Sequence, residues 1–189
     1  FAKNPRYQGA GSSQVVPTTL DNAFECIASK LDEQGSVTFA KGYEPGKTEL
    51  DQGLIQEAVD LARSADAVVL FVGLPAIDES EGFDREHLDI PRQQELLINS
   101  VCKENPNSVV VLSNGAPVTM PWVDVPSAIL EGYLLGQAGG AAIADILFGK
   151  TNPSGKLAES FALEQQDIPS DNWFSGTGRQ VQYREGLYV

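Results

Sequence analysis

Residues Ala67–Val72, AVVLFV, form an unbroken apolar run rich in β-branched side chains and closed by Gly73. A run with no polar alternation is the pattern of a strand buried on both faces. Ser108–Ser113 (SVVVLS) repeats it, and Ala128–Leu130 reads as a third buried strand. Between the first two lies Arg92–Glu104, with Leu96, Leu97, Val101 and Cys102 turned inward at helical spacing and Asn105-Pro106-Asn107 as its stop. After the third comes Gly139–Leu147 (GGAAIADIL), a small-residue helix able to pack close to a sheet. Strand–helix–strand–helix order with short connections predicts an α/β fold, a three-layer sandwich with a mainly parallel sheet and helices on both faces.

Upstream, residues 1–18 are Gly/Ser/Pro-rich and irregular. Thr19 or Asp21 is placed to cap a helix running to about Leu31, with Leu20, Phe24, Ile27 and Leu31 on one face. Ser36–Ala40 reads as a short strand, Gly42–Lys47 as a turn, and Asp51–Arg63 as a helix with Leu54, Ile55, Ala58, Val59 and Ala62 as its buried stripe. Doubly wound sheets usually begin with a strand, whereas this chain begins with a helix. The expectation is an excised piece lacking its first strand, with a second cut at the apolar end Tyr188-Val189. The whole chain, 1–189, reads as one domain, with 149–189 as its loop-rich tail.

The net charge of −13 excludes nucleic acid and anionic membrane surfaces as partners, since both need a basic footprint. No apolar run reaches the ~20 residues of a membrane span. Cys26 and Cys102 both fall in helical apolar patterns and read as buried free thiols. The lack of a disulfide framework tilts the setting toward the cytoplasm over secretion, though the opening at Phe1 leaves localisation open. His87 is the only histidine and no cysteine pair has ligand spacing, so neither a metal nor a cofactor is expected.

After Gly73 the hydrophobic signal stops. Residues Leu74–Pro91 carry Asp78, Glu79, Glu81, Asp84, Glu86 and Asp89, with Glu95 just beyond. A long charged loop at the carboxyl end of a buried strand is where open α/β sheets place ligands. Glycoside cleavage needs two carboxyl groups, one protonating the leaving oxygen and one attacking or activating water. Glu79 and Glu81, two apart, project to the same side of an extended loop. Mutual repulsion is expected to raise the apparent pKa of the pair. Gly82 lets the loop bend toward a ligand, and Asp84-Arg85 forms a local ion pair that pins it. The plain alternative is a solvated acidic loop.

Other chemistry is poorly supported. His87 is solitary and no G-x-S-x-G elbow exists, which removes a serine triad. Gly149-Lys150-Thr151 resembles the end of a phosphate-binding loop, but Ala144 stands where that motif needs glycine. Gly9-Ala10-Gly11-Ser12-Ser13 can bring backbone close to a ligand, yet Gln14 replaces the third glycine of a dinucleotide fingerprint. Trp122, Trp173, Tyr7 and Tyr183 are candidates for stacking on a sugar ring or for ordinary packing.

Several stretches resemble the second domain of glycoside hydrolase family 3. They are RYQGAGSS at Arg6–Ser13, ESEGFDR at Glu79–Arg85, LDIP at Leu88–Pro91 with Gln94 in the next helix, NGAPVTMPW at Asn114–Trp122, and GQAGGAAIADILFGKTNPSGKL at Gly136–Leu157. They occur in order across nearly the whole chain, and the last is the most specific. The resemblance implies a retaining, exo-acting β-glycosidase of β-glucosidase or β-xylosidase type. In such an enzyme a (β/α)8-type barrel carries the nucleophilic aspartate and the α/β sandwich lends the acid/base glutamate. By the EGFDR match that residue is Glu81, with Glu79 as the fallback. It also makes Ser12 a substrate contact and gives Asp84 and Arg85 a structural role behind Glu81. The expected partners are a β-linked oligosaccharide or glycoside and an N-terminal barrel of the same protein. Without the barrel this chain is expected to be inactive, and the loop to be disordered. The second reading is a noncatalytic scaffold or carbohydrate-binding sandwich. A third, a nucleotide-binding sheet, fails on the missing glycine fingerprint.

Overall fold

A computed structural model describes residues 1–82 and 84–187. Phe83 of the EGFDR stretch and the terminal pair Tyr188-Val189 lie outside the described residues. The elements run α1 (Ala23–Ala28), α2 (Gln52–Ser64), β1 (Val68–Gly73), α3 (Arg92–Glu104), β2 (Ser108–Ser113), β3 (Ala128–Glu131) and α4 (Gly139–Leu147). The strands form one sheet in the order β1-β2-β3. Every pairing is parallel, with Leu70 opposite Val110 and Val110 opposite Ile129.

Because alternate side chains of a strand point to opposite faces, the sheet builds two cores. Leu70, Val72, Val110 and Leu112 face α2 and α3, where Ile55, Ala62, Leu97, Ile98, Val101 and Cys102 meet them with Trp122. Val69, Phe71, Val111 and Leu130 face the other way, against Ala23 of α1 and Ile143 of α4. The α/β sandwich with helices on both faces is thus present.

The boundaries of α3, β2 and α4 coincide with those read from the sequence. Asp51 caps α2 through the amides of Gly53 and Leu54, so the helix begins one residue later than expected. Four expectations need correcting. Helix α1 is short and capped by Asn22, whose side chain accepts from the Glu25 amide. Neither Thr19 nor Asp21 is its cap, because the helix begins at Ala23 and Asn22 is the residue that flanks it; the Asp21 amide donates to the Gln137 carbonyl at 2.9 Å. Ser36–Ala40 is no strand; Phe39 instead packs edge-on against Phe24 of α1, with the Lys3 ammonium over both rings. Strand β3 is an edge strand with Ala128 exposed, not a fully buried one. Cys26 is half-buried, while Cys102 is buried; both are free thiols.

Two buried amides fasten the strand ends. Gln94 is fully buried on α3, accepts from the Gly73 amide at 2.7 Å and donates to the Gly73 carbonyl at 2.9 Å. Gln93 donates to the carbonyls of Glu44 and Lys47. Gln94→Leu should leave both backbone groups of Gly73 unpaired and cost about 2–4 kcal/mol of stability. Urea unfolding with unchanged slope is the check, and a loss below about 0.5 kcal/mol would mean the Gly73 groups find other partners.

Among the described residues the tail beyond α4 is mostly exposed, with two 3₁₀ turns, Gln165–Asp167 and Asp171–Trp173, and one bridge between Thr177 and Gln180. Phe161 packs on the core, lying edge-on to Tyr133, and the Met120 amide donates to the Ala162 carbonyl beside it at 2.9 Å.

Candidate active site

Parallel strands all point their carboxyl ends one way, and the loops leaving those ends gather on one rim. The loop after β1 holds Glu79, Glu81 and Arg85. The loop after β2 holds Asn114, Gly115 and Ala116. Glu131 closes β3, and residues 6–12 cross the rim from the N-terminus.

The acidic loop is sewn to the segment after β2. The Glu79 carboxylate accepts from the Gly115 amide through both oxygens, at 2.9 and 2.8 Å, and from the Ala116 amide at 2.7 Å. Arg85 donates to the Pro117 carbonyl at 3.1 Å. The Thr119 amide donates to the Leu88 carbonyl at 2.9 Å, and the Thr119 hydroxyl donates to Asp89. Asp84 is exposed and forms no ion pair with Arg85, contrary to expectation. Arg85 spends its guanidinium on the carbonyl instead.

The N-terminal segment grips the same loop from the other side. Arg6 donates to the Glu79 carbonyl at 3.1 Å and lies 3.9 Å from its carboxylate. Ala10 and Ser80 form a parallel bridge. Ser12 then donates to Glu81 Oε2 twice, from its amide at 2.9 Å and its hydroxyl at 2.7 Å. Gly11 makes this approach possible. Its φ is +103°, and a Cβ there would sit 2.5 Å from Glu81 Oε2.

These contacts correct the electrostatic expectation. Glu79 and Glu81 do not share a site; each carboxylate is claimed by a different backbone segment. The Ser12 amide, with its hydroxyl second, holds the Glu81 carboxyl below the usual carboxylate range. The hydrogen bonds favour the charged form, and burial, the smallest of the three influences, opposes them only weakly. Ser12, singled out as a sugar contact, is the residue that fixes Glu81.

The stacking candidates separate. Trp122 is buried in the core against α2 and α3 and cannot meet a sugar. Trp173 lies under the Arg184 guanidinium, 3.7 Å from the ring centre, in the tail. Tyr183 is highly exposed. Tyr7 stands at the rim, its hydroxyl accepting from Gln8 at 2.8 Å, while its carbonyl accepts from the Gly136 amide.

The sequence reading missed Glu131. Its Oε1 accepts from the Tyr133 amide at 2.7 Å, while Oε2 is buried without a partner. Asn114 Oδ1, Tyr133 Oη, Arg6 Nε and Arg85 Nη2 are buried and unpartnered on the same rim. Burial pushes the Glu131 carboxyl up from 4.5 to about 7, the Tyr133 amide bond and the neighbouring Asn114 side chain oppose this, and the Glu79 charge adds to it. The available signal was a lone carboxylate ending an otherwise apolar strand.

The sign of the consequence is fixed. Below pH ~4.5 Glu131 is protonated in both the folded and unfolded chain, and its contribution is fully present. As pH rises toward 7 the unfolded chain loses its proton first, so stability falls, and it levels off above 7. After discounting for partial exposure the loss is about 1–2 kcal/mol. Glu131→Gln should therefore stabilise the protein by that amount at pH 8 relative to its effect at pH 4.5. Equal effects at both pH values in urea titrations would refute the upward shift.

The profile of the glycosyl hydrolase family 3 C-terminal domain matches residues 1–189. The chain belongs to this family. This family 3 domain is 48% identical to thermostable β-glucosidase B of Acetivibrio thermocellus over 189 residues, all of this chain and 25% of that protein. It is 46% identical to an exo-α-(1→6)-L-arabinopyranosidase of Bifidobacterium breve, again covering all of this chain and 25% of that protein. Among solved structures it superposes on a family 3 β-glucosidase of Bifidobacterium adolescentis with a TM-score of 0.84 and 46% identity, covering 98% of this chain and 27% of that one. The family 3 domain thus spans about a quarter of the length of the curated relatives it matches.

Proposed function

We propose that this domain, residues 1–189 with the tail 149–189 as part of it, supplies the acid/base glutamate of a retaining, exo-acting β-glycosidase, and that the glutamate is Glu81. The reading rests on one observation: Glu81 is a carboxylate at the exposed rim of the sheet, held by Ser12 within the loop that carries the ESEGFDR stretch. Glu79 is the poorer choice because three hydrogen bonds from Gly115 and Ala116 occupy its carboxylate. Arg85 supports the loop from behind through Pro117, and Asp84 faces solvent.

In this mechanism the barrel's aspartate attacks the anomeric carbon while Glu81 gives its proton to the glycosidic oxygen. The aglycone leaves as an alcohol. Glu81, now a carboxylate, takes a proton from water, which attacks the glycosyl-aspartate and restores both groups. An acid needs its proton at working pH, whereas Ser12 favours the carboxylate. A second carboxylate ~5–5.5 Å away, the separation of retaining enzymes, pushes the Glu81 pKa back up. The barrel is thus required for the proton as well as for the nucleophile, and the domain by itself is inactive. A β-glucoside or another β-linked glycoside is the substrate class.

The test uses the full-length parent protein and an aryl β-glucoside, followed by proton NMR. Release of the β-anomer first supports retention; the α-anomer first sinks it. The 189-residue chain alone, given the same substrate, should show no Glu81-dependent turnover. Efficient turnover by the chain alone would place the whole machinery within it.

A further inference from the structure

We infer that Glu79 is a positioning residue that sets the location of Glu81 by clamping the acidic loop to the segment after β2; this rests on Glu81 being the acid/base. Three successive residues each take a different anchor. Glu79 is held by the amides of Gly115 and Ala116, at 2.7–2.9 Å. Ser80 bridges to Ala10. Glu81 is held by Ser12. Of the three anchor points, only the Glu79 anchor joins the loop to the rigid sheet, since Gly115 lies two residues beyond the end of β2. Ala10 and Ser12 belong to an irregular segment, half-buried up to Ala10 and exposed from Gly11, that itself needs support.

That support also runs through Glu79. The Arg6 side chain is 9% exposed and donates to the Glu79 carbonyl, with its guanidinium 3.9 Å from the carboxylate. Glu79 thus ties the sheet, the acidic loop and the N-terminal segment at one point. Its side chain is 16% exposed and does not compete with Glu81 for substrate. Neighbouring space is limited, because a Cβ at Gly115 would lie 3.1 Å from Glu79 Oε1.

The chemistry requires a carboxylate. Both of its oxygens accept amide protons. In Glu79→Gln one oxygen becomes an NH₂ facing the Gly115 or Ala116 amide, donor against donor, and the clamp opens. Displacement of an acid by about 1 Å costs on the order of 100-fold in rate. Substrate binding relies on other groups, so the change should appear in kcat with KM little altered.

The experiment compares full-length parent enzymes carrying Glu79→Gln, Gly115→Ala and Glu81→Gln, each checked for an unchanged melting profile. Glu79→Gln should lower kcat about 10–100-fold, keep KM within about twofold, keep the alkaline limb of the pH profile and show no rescue by azide. Gly115→Ala perturbs the same clamp from the opposite side and should give the same pattern more weakly; it decides the matter if Glu79→Gln does not fold. Unchanged kcat in whichever of the two folds overturns the role. Loss of the alkaline limb with azide rescue in Glu79→Gln also overturns it, since Glu79 would then be the acid/base itself. Undiminished kcat in Glu81→Gln overturns the reading on which the role rests, and the role with it.

Discussion

Glu81→Gln in the full-length parent enzyme is expected to lower kcat on an alkyl β-glucoside by about 10²–10⁴-fold, the usual contribution of a positioned general acid/base. Glutamine keeps the size of the side chain and can still accept from Ser12 through its carbonyl, so the loop should stay in place. What is lost is the proton. A dinitrophenyl glucoside needs little protonation of its leaving group, so its first step should be far less affected and a glycosyl-enzyme should accumulate. Azide needs no base and should restore turnover with that substrate. The alkaline limb of the pH profile should vanish. If all three signatures appear on Glu79→Gln instead, the assignment moves two residues upstream.

Gly73→Ala is expected to cost more than about 4 kcal/mol, a large share of the ~5–15 kcal/mol that holds a domain folded. Gly73 ends β1 at φ +144°, and a Cβ there would stand 2.0 Å from the Ser113 carbonyl oxygen and 2.6 Å from its carbon. Both are backbone atoms of the paired strand, so no rotamer change relieves the contact. Moving β1 away would also break the two hydrogen bonds between Gly73 and Gln94 and the Leu74 amide bond to the Ser113 carbonyl. Urea or thermal unfolding measures it. A loss of only about 1 kcal/mol would show that the strand tip can shift without cost to the core.

How much of this was readable beforehand varies with the physics of each element. Continuous β-branched runs and helical spacing are local signals, and they located β1, β2, α3 and α4 within a residue. Ser36–Ala40 carries the same local signal but has no neighbouring strand, so Phe39 turned to Phe24 and Lys3. Trp122 is a candidate for sugar stacking with packing as the favoured role, and the packing between α2, α3 and the sheet decides for the core. The candidate site is the hardest case. Ser12 and Glu81 are 69 residues apart, and Glu79 and Gly115 are 36 apart. No spacing rule relates such pairs. The family resemblance named Glu81 and Ser12 separately, but not the bond between them; the two-residue spacing of Glu79 and Glu81 suggested a mutual repulsion, whereas each carboxylate is held by a different backbone segment.

The two faces of the sheet are unequally filled. Toward α2 and α3 lies a deep layer that includes Trp122, Ile98 and Val101, whereas the buried cluster toward α1 and α4 is built on Ala23, Val111 and Ile143. Cooperative units of a protein open in order of the apolar contact that closes them. The α1–α4 layer is therefore the first to loosen, and the segment carrying Arg6 and Ser12 is fastened to it, through the Ala2 carbonyl to Phe24 and the Tyr7 carbonyl to Gly136. Amide exchange would thus reach Ser12 well before it reaches β2, and the hold on Glu81 would be released while the rest of the domain is still folded.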